Sequence, residues 1–311
     1  MDKGSVIRKL KAAGAGKVLV QVPEGLKPWV LEFAGELESA GLRAFISVEP
    51  CFGACDIRDR EALMLGCDAL LHIGHSDCGV KACLPVIYEE YRIETDPVPL
   101  LRKSMPMLKG FRRIGLLTTV QYLSALGKAS RFLRERGKDV LTGSPGKAAC
   151  PGQVLGCDYS AAKEVEPSVD CFLFMGTGRF HPLGLVAETE KTVFFLDLES
   201  GKLSDLTPER FRLLKVRHAR IAKAGDARNF GIMVSTKPGQ SHPGLAEKAK
   251  EKLESMGRRA WILVADQITH EQLLGLKIEA LVNTACPRIS EDAGQFRKPI
   301  ISVDDIGMLE G

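Results

Sequence analysis

The chain has 311 residues, roughly twice an average domain, so it holds either two units of ordinary size or three small ones. Hydrophobic residues make up 45% of it and charged residues 26%, which excludes a disordered, collagen-like or disulfide-stapled chain. Lys and Arg number 43 against 39 Asp and Glu, a net charge of +4 that is too small to argue for direct nucleic-acid binding, and no apolar run approaches the roughly 20 residues of a membrane span.

The first 17 residues mix Lys3, Arg8, Lys9, Lys11 and Lys17 with glycine and lack the apolar core and cleavage site of an export signal. With 9 cysteines, an odd number, the expectation is a reduced, cytoplasmic protein in which thiols serve metal binding or catalysis. Residues 17–23 then form a short apolar strand ending in a Pro-Glu-Gly turn, followed by a helix over 28–39, Gly41, and a strand over 43–48. Residues 68–74 read as a third strand, and a fourth is less clear around 85–88. The same order recurs with a strand over 113–119, a helix over 122–136, Gly137, and strands over 139–142, 170–176 and 192–197. Thr207 and Pro208 look like the N-cap and first residue of a helix, and the basic stretch 210–228 reads as its solvated face. A third copy follows with a strand over 230–235, a helix over 243–256, Gly257, and strands over 259–265, 279–285 and 299–304.

Strands alternating with helices imply parallel sheets, and a period of roughly 100 residues implies three related α/β units. Their expected bounds are 1–107, 108–205 and 206–311. A single large doubly wound sheet is the alternative, and in either case ligands gather at the carboxyl ends of the strands.

Cys67, Cys83 and Cys171 are expected to be core residues. Cys55, Cys157 and Cys286 instead lie in turns just after strands, one in each repeat. Units packed with their carboxyl edges toward a common centre would bring these three sulfurs together. Three thiolates are one short of a closed zinc site, whereas a 4Fe-4S cube held by three cysteines keeps one iron open to substrate. C-x2-C pairs of the zinc-ribbon type are absent, which disfavours zinc. Cys51 and Cys55 open the usual radical S-adenosylmethionine signature, but Arg58 stands where its third cysteine belongs. Cys51 and Cys78 fall near the expected centre as spare thiols, and Cys150 precedes a proline in a turn.

Four segments carry a resemblance: Gly53-Ala-Cys-Asp56, Gly152-Gln-Val-Leu-Gly-Cys157, Gly176-Thr-Gly-Arg-Phe-His-Pro-Leu-Gly184 and Ala285-Cys-Pro-Arg288. Together, in order and over nearly the whole chain, the sequence resembles the diphthamide-synthesis 3-amino-3-carboxypropyl transferase family in its archaeal-type homodimeric form. That resemblance implies three flavodoxin-like parallel-sheet domains in a pseudo-threefold arrangement around a central 4Fe-4S cluster. It implies Cys55, Cys157 and Cys286 as the cluster ligands, with no further catalytic residue. The implied activity transfers the 3-amino-3-carboxypropyl group of S-adenosylmethionine to carbon 2 of a histidine imidazole in translation elongation factor 2. An electron donor is the implied further partner, and methylthioadenosine the by-product.

Six residues are candidates for holding S-adenosylmethionine. Gly176 and Gly178 offer backbone N–H groups at a strand end, Arg179 a bidentate partner for a carboxylate, and His181 a polar contact. Gln240 occupies the corresponding turn of the third repeat, and Arg288 lies two residues past Cys286. His72 reads as an interior residue, and His75, at its strand's end, is better placed to meet substrate. Two rival readings are a quinolinate synthase-like dehydratase, whose open iron is a Lewis acid, and a noncatalytic scaffold subunit. Possession of all three candidate ligands weighs against the scaffold.

Overall fold

The computed structural model describes residues 2–291 and 296–310. The chain divides into two compact units, Met1–Thr207 and Pro208–Gly311. The first contains two sheets. One is built from β1 (Lys17–Gln21), β2 (Arg43–Ile46), β3 (Ala69–Ile73) and β4 (Val86–Glu89), the other from β5 (Arg113–Thr118), β6 (Asp139–Leu141), β7 (Cys171–Gly176), β8 (Thr192–Asp197) and β9 (Lys202–Asp205). The second unit contains β10 (Asn229–Ser235), β11 (Arg259–Ala265), β12 (Ala280–Asn283) and β13 (Ile300–Ser302).

The three strand orders are β2-β1-β3-β4, β6-β5-β7-β8-β9 and β11-β10-β12-β13. Each is therefore the same doubly wound order, with β9 added as an antiparallel edge by a tight turn in which Gly201 donates to the Asp197 carbonyl. All other strand pairs are parallel. The repeat legible in the sequence is thus a repeat of topology. Its third strands, β3, β7 and β12, are buried at every position, as strands covered on both faces must be. Along β1 the apolar side chains alternate between two cores: Val18 and Val20 pack with Phe33 and Leu37 on one face, and Leu19 packs with Ile57 and Leu70 on the other.

The helices are α1 (Lys3–Ala12), α2 (Lys27–Ser39), α3 (Asp59–Met64), α4 (Val98–Ser104), α5 (Leu123–Glu135), α6 (Ser160–Val165), α7 (Phe180–Glu188), α8 (Glu209–Gly225), α9 (Pro243–Ser255) and α10 (Pro287–Glu291). The expected glycine stops terminate α2, α5 and α9. Gly41, Gly137 and Gly257 have φ of 84°, 77° and 76°, and each helix closes with the paired backbone bonds of a left-handed cap. The acidic residue preceding each third strand also has a reason. Asp68 accepts from the amides of Gly16 and Lys17, Asp170 from Arg112 and Arg113, and Glu279 from Arg228 and Asn229. Each carboxylate satisfies the amides at the start of the neighbouring first strand, and these bonds draw Asp170 down to about 2.

Two local expectations are corrected. Thr207 does not cap α8, whose N-cap is Pro208; its hydroxyl accepts instead from the Val193 amide. Cys67 and Cys171 are buried as expected, but Cys83 is exposed, its amide donating to Asp59 in the connection between β3 and β4. The basic stretch does form α8, largely exposed, with Arg217 paired to Asp305 at 2.6 Å.

Candidate functional site

In each doubly wound sheet the strand order reverses between the first and third strands, and the crevice at their carboxyl ends is the natural binding place. The residues paired at that point are Gln21 with His72, Thr118 with Met175, and Met233 with Asn283. All three cysteine-bearing loops are tied to these points. Gln21, fully buried, donates from Nε2 to the Asp56 carbonyl at 2.6 Å and accepts at Oε1 from the Arg58 amide at 3.2 Å, gripping the loop just after Cys55. Thr118 exchanges backbone bonds with the Cys157 loop, donating to Gly152 and accepting from Val154, both at 2.9 Å. Asn283 donates from Nδ2 to the Cys286 carbonyl at 2.8 Å and accepts at Oδ1 from the Ala285 amide at 2.9 Å.

These tethers were not singled out from sequence. Their signal is a polar residue closing an otherwise apolar strand, the case for both Gln21 and Asn283. Gln153 is a fourth: buried, it accepts at Oε1 from the amides of Ala149 and Cys150 and donates from Nε2 to Ser76, joining the Cys157 loop to the segment after β3.

The segment 176–184 is built around Cys157. Gly176 ends β7, Gly178 turns the chain at φ 70°, a value that L side chains resist, and α7 begins at Phe180. The Phe180 ring lies against Gly156, where an added Cβ would come within 2.3 Å of it. Gly184 makes room for Tyr159, whose hydroxyl donates to the His181 carbonyl at 3.0 Å. The loop holding Cys157 is thus clamped on both sides by α7. Arg179 is exposed at the start of α7, and His181 stacks on Phe174. Gln240 is buried in the turn after β10, and Arg288 is exposed on α10, two residues past Cys286.

Within the first unit, Cys55, Cys78 and Cys157 are close enough to oppose one another's ionisation. Burial and then the Cys55 and Cys157 sulfurs push Cys78 up to about 11; burial and then Cys55 raise Cys157. Lys147 counters this at both Cys78 and Cys157, the cation that sequence reading missed. None of the nine cysteines is in a disulfide. Neighbouring thiols that cannot all be anionic unaided form a donor set suited to a cationic iron-sulfur core, which would hold them as thiolates. A cleft of about 540 Å³ opens along the segment after β3, its lining including Ser76, Asp77, Tyr88, Glu90 and Ala149.

His72 and His75 lie near Cys51, with His72 Nε2 and His75 Nδ1 3.0 Å apart. Burial pulls His72 down to about 3 and His75 to about 4, from an ordinary 6.5. The unfolded chain therefore takes up these protons first as the pH falls. The stability this contributes is whole above about pH 6.5 and drains toward pH 4, at about 1.4 kcal/mol per pH unit for each proton. Two such protons amount to about 4 kcal/mol between pH 7 and pH 5, so thermal melts of the metal-free chain should show the first unit about 8–16 °C less stable at pH 5 than at pH 7. An identical drop in a His75→Gln variant would assign the effect to other groups.

Comparison with known proteins gives a consistent result. The profile of the diphthamide synthesis protein family matches residues 22–310. The chain is 38% identical to the 2-(3-amino-3-carboxypropyl)histidine synthase of Pyrococcus horikoshii, covering 100% of this chain and 90% of that protein. It is 28% identical to the human 2-(3-amino-3-carboxypropyl)histidine synthase subunit 1, covering 95% of this chain and 68% of the human one. The crystal structure of Dph2 from Pyrococcus horikoshii with a 4Fe-4S cluster superposes with a TM-score of 0.93, covering 99% of this chain and 90% of that one.

Proposed function

The chain belongs to the diphthamide synthesis family, and from that premise we propose that it catalyses the first step of diphthamide formation. It transfers the 3-amino-3-carboxypropyl group of S-adenosylmethionine to imidazole carbon 2 of a histidine in translation elongation factor 2. The observation that carries this reading is the recurrence of one device: a cysteine loop anchored at the switch point of each of three sheets. Cys55, Cys157 and Cys286 are the proposed ligands of one 4Fe-4S cluster. Three α/β domains, 1–107, 108–205 and 206–311, would each supply one.

An imidazole carbon is a poor nucleophile, so polar alkyl transfer from the sulfonium demands strong activation. The cluster, when bound and reduced, supplies the electron that makes carbon-sulfur cleavage accessible. The protein's part is to choose which of the three bonds breaks, by holding the methionyl end of the substrate in place. Arg179 and Arg288 are the proposed partners of its carboxylate, with the backbone at Gly176 and Gly178, His181 and Gln240 completing the contacts. In the net reaction the sulfur keeps its bonding pair and leaves as methylthioadenosine, carbon 2 gains the new bond, and its proton is released. Net oxidation is zero. We further propose a homodimer working in the cytoplasm with a separate electron donor.

Anaerobic incubation with S-adenosylmethionine, dithionite and elongation factor 2 should yield methylthioadenosine and a histidine carrying the added group by peptide mass spectrometry. Dominant 5′-deoxyadenosine would refute the proposed bond choice. Unmodified elongation factor together with a fully loaded cluster would instead favour a scaffold subunit.

A further inference from the structure

A buried corner of the first unit plays no part in the proposed reaction. Cys51, His72 and His75 each offer one donor atom, and the three atoms all lie within 4.8 Å of one another. Cys51 is 4% exposed and His72 is fully buried.

Proton positions here follow from Gln21. Its Nε2 faces the Asp56 carbonyl and its Oε1 the Arg58 amide, and flipping the group would set acceptor against acceptor and donor against donor. Oε1 also faces His72 Nδ1 at 3.1 Å, so Nδ1 must carry the hydrogen. His72 Nε2 is left with its lone pair, turned toward His75 Nδ1 at 3.0 Å. Two imidazole nitrogens bound to one tetrahedral zinc-type ion at about 2.0–2.1 Å stand about 3.3–3.4 Å apart, so the observed pair needs to open by only a few tenths of an ångström. Metal-bound histidines regularly donate their remote N–H to a fixed acceptor, and Gln21 already provides one for His72.

We propose that Cys51, His72 and His75 bind one divalent ion of the zinc class, at a site distinct from the iron-sulfur ligands. Two imidazoles and a thiolate are borderline-soft donors that suit zinc and not magnesium or calcium, and a fourth position is left for water. On binding, the Cys51 thiol releases its proton to solvent and the His75 hydrogen moves from Nδ1 to Nε2. No electron is exchanged. The ion would staple the start of the cysteine loop to the end of β3, while Gln21 grips the residues after Cys55, so Cys55 is held from both sides.

The site does not depend on the proposed reaction, and its test can be read without it. The full-length Cys55→Ala/Cys157→Ala/Cys286→Ala chain, which removes the proposed iron ligands, is titrated anaerobically with cobalt(II). One equivalent should bind with the visible bands of tetrahedral cobalt and a thiolate charge-transfer band. The latter should vanish in the same chain carrying Cys51→Ser and persist in the one carrying Cys78→Ser. A parallel readout on the otherwise unaltered chain is metal analysis after zinc loading and desalting, where Cys51→Ser should lose one equivalent of zinc. Absence of stoichiometric binding in both assays, or binding indifferent to Cys51→Ser, would overturn the proposal and leave the two imidazoles as a hydrogen-bonded prop for Gln21.

Discussion

Replacing Cys55, Cys157 or Cys286 with alanine should take iron and sulfide to background after anaerobic reconstitution and abolish the transfer reaction. Cys78→Ala should keep its iron, with activity reduced by no more than about 10- to 100-fold, the range for a residue that adjusts a metal site without binding it. The contrast is sharp because Cys78 is an electrostatic neighbour of both Cys55 and Cys157 and on proximity alone is a rival ligand. What separates it is the tether. The loops carrying Cys55, Cys157 and Cys286 are each hydrogen-bonded to the switch-point residue of their own sheet, through Gln21, Thr118 and Asn283. Electron paramagnetic resonance on the reduced proteins would report the cluster directly. Iron lost from Cys78→Ala and retained in Cys286→Ala would exchange the roles of these two cysteines.

Much of this was legible in the sequence because the signals are local. An apolar run, a helix and a left-handed glycine cap occupy consecutive residues, so the strand-helix-strand sentence reads three times without any knowledge of contacts. The acidic residue before each third strand was visible as a pattern, but its purpose, satisfying the amides of a strand about 50 residues away, exists only in the folded sheet. The same limit hid the tethers. Gln21 and Asn283 each look like an ordinary strand end until the loop they hold is in place. Thr207 carried a good capping signature, yet its hydroxyl is taken by the Val193 amide, a tertiary bond that outcompetes the local one. Residue type alone points Cys83 to the core, whereas much of the connection that carries it is exposed. In the segment 176–184, which carries four of the six candidate substrate contacts, the recurring glycines also serve a second purpose.

That second purpose yields the other large effect expected. A Cβ added to Gly184 would sit 2.0 Å from the Tyr159 hydroxyl oxygen and 2.8 Å from its ring carbon, in a helix whose neighbours are packed. Tyr159 is two residues past Cys157 and is fixed by its bond to the His181 carbonyl, so relief of the clash must displace the cysteine loop. Gly184→Ala should therefore lose about 1–3 kcal/mol by overpacking and load less iron than the parent chain at equal protein concentration. Tyr159→Phe alone removes one buried hydrogen bond, about 1 kcal/mol, and should leave iron loading nearly intact. Combining them deletes the oxygen of closest approach while leaving the ring carbon, so the double variant should recover part of the loss and fall short of additivity. Denaturant melts and iron content of the four chains complete the cycle. Strict additivity, or full iron loading in Gly184→Ala, would mean that α7 does not position Cys157, and the conspicuous glycines of this segment would then belong to substrate binding alone.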